Sequence, residues 1–166
     1  MARRGVTPDI ARAIMRTNTT AIAAVMVHRG EADSLICGTF GQYSWHLRYV
    51  HEVLAREGLS PVGALSMIIL EDGPLFVADT QCNDDPTPQQ VMETVMGAAR
   101  HVRRFGLLPK IALCCHSQFG NLDTYTGRKM REALALLDAK KPDFMYDGEM
   151  HVDAALDPAL RERIFP

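Results

Sequence analysis

The sequence lacks a long apolar run. Its longest, TAIAAVMV at 20–27 and the stretch around SMIIL at 66–70, fall well short of the roughly 18 residues of a membrane span, and MARRG leads into no apolar signal segment. It lacks a charge bias as well. Eighteen Lys and Arg against 20 Asp and Glu give a net charge of -2, which provides no footprint for nucleic acid or an anionic membrane surface. The four cysteines include no C-x-x-C pair, so they fit reduced thiols rather than a disulfide framework. There is no G-x-G-x-x-G dinucleotide turn, no internal repeat and no low-complexity segment. These absences point to a soluble, cytoplasmic protein with no nucleic-acid or membrane partner.

What is present is a 166-residue chain, 47% hydrophobic and 23% charged, enough for one core and one domain over residues 1–166. Both ends read as cut. RRGVTPDIARAIM opens a helix with Thr7 as N-cap and Pro8 at N1, and TNTTAIAAVMVHRG gives a second helix stopped by Gly30, so that residues 1–30 read as a helical link to a preceding part. DSLICG has the apolar content of a strand. After the turn GTFGQ, a helix carries Leu47, Val50, Val53 and Leu54 and ends at Gly58. ALSMIILEDGPLFVAD is a hairpin with Asp72 and Gly73 at its turn. TPQQVMETVMGAARHVRRFG has a T-x-x-Q capping box at Thr87 and Gln90, an apolar face of Val91, Val95, Ala98, Val102 and Phe105, and Gly106 as its stop. KIALCC reads as a central strand. A helix with Met130, Ala133, Leu134 and Leu137 follows, then strand DFMYD, GEMHVDAAL and a last helix capped by Asp157 and Pro158. The alternation predicts a three-layer αβα domain around a mixed sheet, with ligands held outside the carboxyl ends of its strands. GTFGQYSW, TQCND, CHSQFGN and YDGEMH are the loops at those ends.

CHSQFGN admits three chemistries. A metal centre would draw on Cys115, His116, His151, Cys82 and His46, but zinc ligands usually come as C-x-x-C or H-x-x-x-H pairs, and the adjacent Cys114 and Cys115 point to opposite faces of a strand. A nucleophile would be Cys115 with His116, although catalytic pairs meet through the fold and not along one strand. Cys115 reads more readily as a small buried side chain. An anion-holding turn fits better: Ser117, Gly120 and Asn121 form a small polar loop between strand and helix, where free N–H groups point outward. Arg48, on the first turns of the helix after GTFGQYSW, is placed to meet a phosphate or carboxylate, and is otherwise a solvated helix residue.

The loops together resemble the phosphotransacetylase family, and more closely the phosphotransacetylase-like C-terminal module of large bacterial NADP-dependent malic enzymes. The resemblance runs through HRGEADSLICGTFG, FVADTQCNDDPTPQQ, RRFGLLPKIALCC and PDFMYDGEMHVDAAL. It implies a fold like that of isocitrate and isopropylmalate dehydrogenases, dimerisation, and a cleft for coenzyme A thioesters. In place of the family's S-x-S-T-(R/K)-G-S turn this chain has Cys115, His116, Ser117, Gln118, Phe119, Gly120 and Asn121, losing a hydroxyl and a charge. Tyr43, Ser44, Trp45 and His46 replace a threonine-rich stretch, while Arg48 matches the substrate arginine. The implied ligand-binding residues are Arg48, Ser44, Ser117, Gly120, Asn121 and Asn83, with no catalytic residue and no metal ligand assigned.

Acetyl transfer between phosphate and a thiol needs a cation cluster and a group to remove the thiol proton. One matched arginine and no base argue against catalysis, and the resemblance implies a regulatory module that binds acetyl-CoA and assembles a homo-oligomer. No cofactor belongs to the chain itself, while the parent malic enzyme is expected to use NADP and a divalent metal. An active phosphate acetyltransferase and a structural dimerisation domain are the alternatives.

Overall fold

A computed structural model of the protein describes residues 5–55, 63–80 and 82–165. The chain divides into two compact units, Met1–Leu59 and Ser60–Pro166.

The first unit is helical. In α1 (Pro8–Thr17), Thr7 accepts a hydrogen bond from the Ile10 N–H and Pro8 stands where a backbone N–H would go unused. Asn18 ends α1 and begins α2 (Thr19–His28): its N–H closes on Ile14 and its side chain accepts from Ala21. Gly30, in the left-handed region at φ +74, lets the Glu31 N–H reach back to Met26 and stop α2. The third helix, α3 (Tyr43–Leu54), packs on α2 through His46 and Tyr49 against Thr20, Ala21 and Ala24. The Leu47, Val50, Val53 and Leu54 stripe is half-buried instead, so the contact is built on more polar side chains than the periodicity predicts. The Gly58 stop lies outside the described residues, and α3 ends at Leu54 with Ala55 as C-cap.

DSLICG forms no strand. Ile36 is fully exposed, and a short apolar segment without a neighbouring ladder has no pleated surface to pack on.

In the second unit, β1 (Leu65–Leu70) and β2 (Gly73–Ala78) form the expected antiparallel hairpin, with Leu70 opposite Gly73. The helix α4 (Pro88–Arg104) carries both halves of its capping box, and Gly106, at φ +75, follows its end. Its buried positions are Val91, Met92, Val95 and Ala99; Phe105, expected on that face, is exposed and touches the Phe76 ring at 5.4 Å. The strand β3 (Lys110–Cys114), helix α5 (Tyr125–Lys140) and strand β4 (Met145–Met150) form a βαβ unit with parallel strands. Leu113, Ala133 and Leu137 meet the α4 residues Val91, Met92 and Val95 in the core. Two short helices follow, α6 (Val152–Leu156) and α7 (Pro158–Ile164), the latter capped by Asp157.

The sheet corrects the sequence reading. Among the described residues there are two separate two-stranded ladders, β1 with β2 and β3 with β4, where one mixed sheet was expected. Only Leu113 of β3 is buried, because the strand has a neighbour on one edge and helix cover on one face. Apolar residues on both faces marked it as central, yet that pattern cannot supply the flanking strands.

Candidate functional site

The turn after β3 is tied to the end of β4. The Cys115 N–H donates to the Met150 carbonyl at 3.0 Å and the Phe119 N–H to the Glu149 carbonyl at 2.8 Å. Within it, the Cys115 sulfur accepts from the Ser117 N–H at 3.3 Å, and Asn121 Oδ1 accepts from the Gln118 N–H at 2.8 Å. Phe119 and Gly120 both have positive φ, +46 and +83, which bends the chain back on itself. Gly127, in the first turn of α5, allows the turn to lie close. A Cβ there would stand 3.1 Å from the Leu122 carbonyl oxygen and 3.2 Å from Ser117 Cβ.

This turn already holds an anion. Glu149, fully buried at the end of β4, places its Oε1 2.8 Å from Ser117 Oγ, 2.9 Å from the Gly120 N–H and 2.9 Å from Arg131 Nη1. Burial pushes its pKa up, but the Ser117 hydroxyl, backbone N–H groups led by that of Gly120, and Arg131 outweigh it and leave the carboxyl below its usual value. Arg131 also faces Asp123 at 3.5 Å, which Arg128 pairs at 2.9 Å. The carboxylate is thus held ionised at neutral pH.

A second ion pair joins the loop before α4 to the same helix. Lys129, its side chain nearly buried, donates to Asp85 at 2.6 Å, and the Tyr125 hydroxyl donates to the same carboxylate at 3.1 Å. The bonds from Lys129 and then Tyr125 lower the Asp85 pKa. The α5 helix therefore supplies cations to two loops. Sequence reading took only the apolar positions of α5 and missed Lys129, Arg131 and the Glu149 carboxylate. A signal was there: Arg128, Lys129 and Arg131 crowd the first two turns of α5, Arg128 in the first turn where the helix dipole disfavours cations.

Ser117, Gly120 and Asn121 come together in one turn, as their spacing suggested. Asn83, in the loop before α4, donates to Asp79 at 2.7 Å. Arg48 and Ser44 belong to the first unit, one helical turn apart on α3. Arg48 lies 5.0 Å from the Tyr49 ring centre and 3.7 Å from Glu52. The candidate metal ligands are engaged otherwise. His46 donates from Nε2 to the Phe40 carbonyl at 2.7 Å and keeps Nδ1 2.7 Å from Thr20 Oγ1; a carbonyl only accepts, which fixes the proton on Nε2. His151 Nε2 likewise donates to the His116 carbonyl at 3.1 Å. Among the described residues no group of three or more His, Cys, Asp or Glu is placed to hold a metal ion, and no helix is long and apolar enough to cross a membrane. A separate groove of about 490 Å³ lies beside β4, where Tyr146 donates to Asp138 at 2.7 Å.

The phosphate acetyl/butaryl transferase family profile matches residues 1–166. The chain belongs to this family. It is 47% identical over its whole length to the NADP-dependent malic enzyme of Salmonella typhimurium and 29% identical, over 98% of its length, to the phosphate acetyltransferase of Synechocystis. The chain spans about a fifth of each, 22% and 23%. Among solved structures, a phosphotransacetylase from Streptococcus pyogenes superposes with a TM-score of 0.83 at 27% identity, over 96% of this chain and 50% of that one. In this chain the turn after β3 carries an internal carboxylate ligand.

Proposed function

We propose that the chain is the C-terminal phosphotransacetylase-like module of a malic enzyme, a single domain that binds acetyl-CoA as an allosteric regulator, supports homo-oligomerisation and transfers no acetyl group itself. The observation that carries the non-catalytic part is the turn after β3, where Cys115, Gln118 and Phe119 stand in place of the family's hydroxyl and basic side chains and the Ser117 hydroxyl and Gly120 N–H are already bonded to Glu149. A further anion about 4 Å from it would meet repulsion of roughly 4 kcal/mol per unit charge at an effective dielectric of 20. Phosphate is therefore disfavoured at this turn. The malic enzyme context is supported by the higher identity to the Salmonella typhimurium enzyme than to the Synechocystis acetyltransferase.

The same reading puts the protein in the cytoplasm, gives the parent NADP and a divalent metal, and assigns ligand contacts residue by residue to Arg48, Ser44, Asn83, Ser117, Gly120 and Asn121. It takes the two ladders as parts of a three-layer αβα fold like that of isocitrate and isopropylmalate dehydrogenases. In support, the matched Streptococcus pyogenes chain is about twice as long as the part this chain covers.

The test is malate oxidation by the parent enzyme titrated with acetyl-CoA. Inhibition is expected, as is its weakening in Arg48→Ala, since regulation requires different acetyl-CoA affinity in two states. An unchanged inhibition curve in the variant counts against Arg48. Acetyl phosphate formed from acetyl-CoA and phosphate at an enzymatic rate would favour the acetyltransferase alternative.

A further inference from the structure

The three donors that reach the Glu149 carboxylate from other residues converge on one oxygen. Ser117, Gly120 and Arg131 donate to Oε1, while Oε2 is buried with no partner among the described residues. A carboxylate serving only to tie elements together gains most by sharing donors between its oxygens, because an orphaned buried acceptor costs stability. A hydroxyl, a backbone N–H from a positive-φ turn and a guanidinium aimed at one point are instead the components of an oxyanion hole. The cradle has a solvent side, since Gly120 is exposed and the Arg131 side chain is 34% exposed.

We propose that the Ser117–Gly120 turn is a carboxylate-sized anion cradle and that Glu149 is its resident intramolecular anion, an autoinhibitory contact that keeps external anions out of the loop. Its meaning for ligand binding rests on the function proposed above; its geometry does not. Glu149 reaches the cradle from β4, so the contact also latches the turn to the strand end. The ligand class follows from size. Truncation at Cβ removes a CH2–CO2⁻ group, whose carboxylate formate replaces and whose whole bulk acetate approximates.

The experiment is thermal unfolding of Glu149→Ala titrated with sodium formate, sodium acetate and, at matched ionic strength, sodium chloride. Formate should raise the Tm saturably, with a half-maximal effect at about 1–100 mM, as three heavy atoms permit. At ten times that concentration the rise over chloride should be about 3–6 °C. Acetate should act more weakly, since its methyl crowds Cβ. The rise should vanish in Glu149→Ala/Arg131→Ala, and wild type should show none. An equal response to chloride, or one that survives loss of Arg131, overturns the proposal. If Glu149→Ala is unfolded in plain buffer, the same titration is read as refolding yield, and no recovery in formate overturns it equally. Wild type indifferent to acetyl-CoA would sink the regulatory reading while a formate response stood; a formate-blind variant with intact acetyl-CoA inhibition would do the reverse.

Discussion

Removing Arg131 isolates the energetic question at the turn. Its guanidinium lies 2.9 Å from the fully buried Glu149 Oε1, and Arg131→Ala leaves that oxygen with the Ser117 hydroxyl and the Gly120 N–H. Breaking a buried ion pair by deleting one partner costs about 3–5 kcal/mol, because the other charge stays buried. Two remaining donors and the partial exposure of Arg131 bring the expectation down to about 2–3 kcal/mol. In a Glu149→Gln background no buried charge is stranded, so the same deletion should cost about 0.5–1 kcal/mol. The coupling energy of the cycle is then about 2 kcal/mol. Urea unfolding of wild type, both single variants and the double variant of the 166-residue chain measures it. Additivity within about 0.5 kcal/mol would show that the 2.9 Å contact carries no energy, and the ionised, cradled carboxylate would have to be abandoned.

The pH dependence has a defined sign. The folded-state pKa of Glu149 lies below its usual value, so its contribution is complete above the unfolded carboxyl pKa, about 4.3, and is lost as pH falls through the folded value. The stability of wild type over Glu149→Gln should therefore shrink as pH is lowered below about 4.3; a gap that widens on acidification would contradict the direction of the shift. Gly148→Ala should be among the most damaging single-methyl additions: the new Cβ would stand 2.7 Å from the Leu113 carbonyl oxygen at a backbone φ of +143, with a cost of about 2–5 kcal/mol in urea unfolding. A loss below 1 kcal/mol would mean that β3 and β4 can separate freely. Thr87→Ala removes one half of the α4 capping box and should cost about 1 kcal/mol, with Thr87→Gly costing less; a larger loss in the glycine variant would point to a role other than capping.

The elements that sequence reading placed correctly are those whose instructions are local. Thr87, Pro88 and Gln90 specify the start of α4 within four residues, and Asp157 with Pro158 does the same for α7. Asp72 lies in the turn of the β1–β2 hairpin, although Gly73 proves to be the first paired residue of β2. Where the reading failed, the deciding partner was distant or missing. Among the described residues DSLICG has strand-like composition and no ladder beside it, and the strands form two ladders because composition cannot say which strands will meet. That Ser117, Gly120 and Asn121 share one polar turn was legible from residue type and spacing; Ser117 and Gly120 hold the Glu149 carboxylate there, while Asn121 accepts from the Gln118 N–H. The identity of the anion was not legible, since Glu149 lies 29 residues beyond Gly120 and 32 beyond Ser117.

The first turns of α5 connect these two kinds of information. Arg128 stands in the first turn of α5, where the helix dipole works against positive charge, and Lys129 and Arg131 follow it in the next turn. In the folded unit each has a carboxylate from outside the helix: Asp123 for Arg128, Asp85 for Lys129 and Glu149 for Arg131. Three cations crowd the start of one helix, and each is paired by a contact with the preceding loop, the loop before α4 or the end of β4. That pattern distinguishes a basic helix start assembled to hold loops from one that is merely solvated. Basic residues near the start of a helix that follows a small polar turn therefore signal anions close by, while the identity of the turn's anion rests on Glu149, which only the fold brings there.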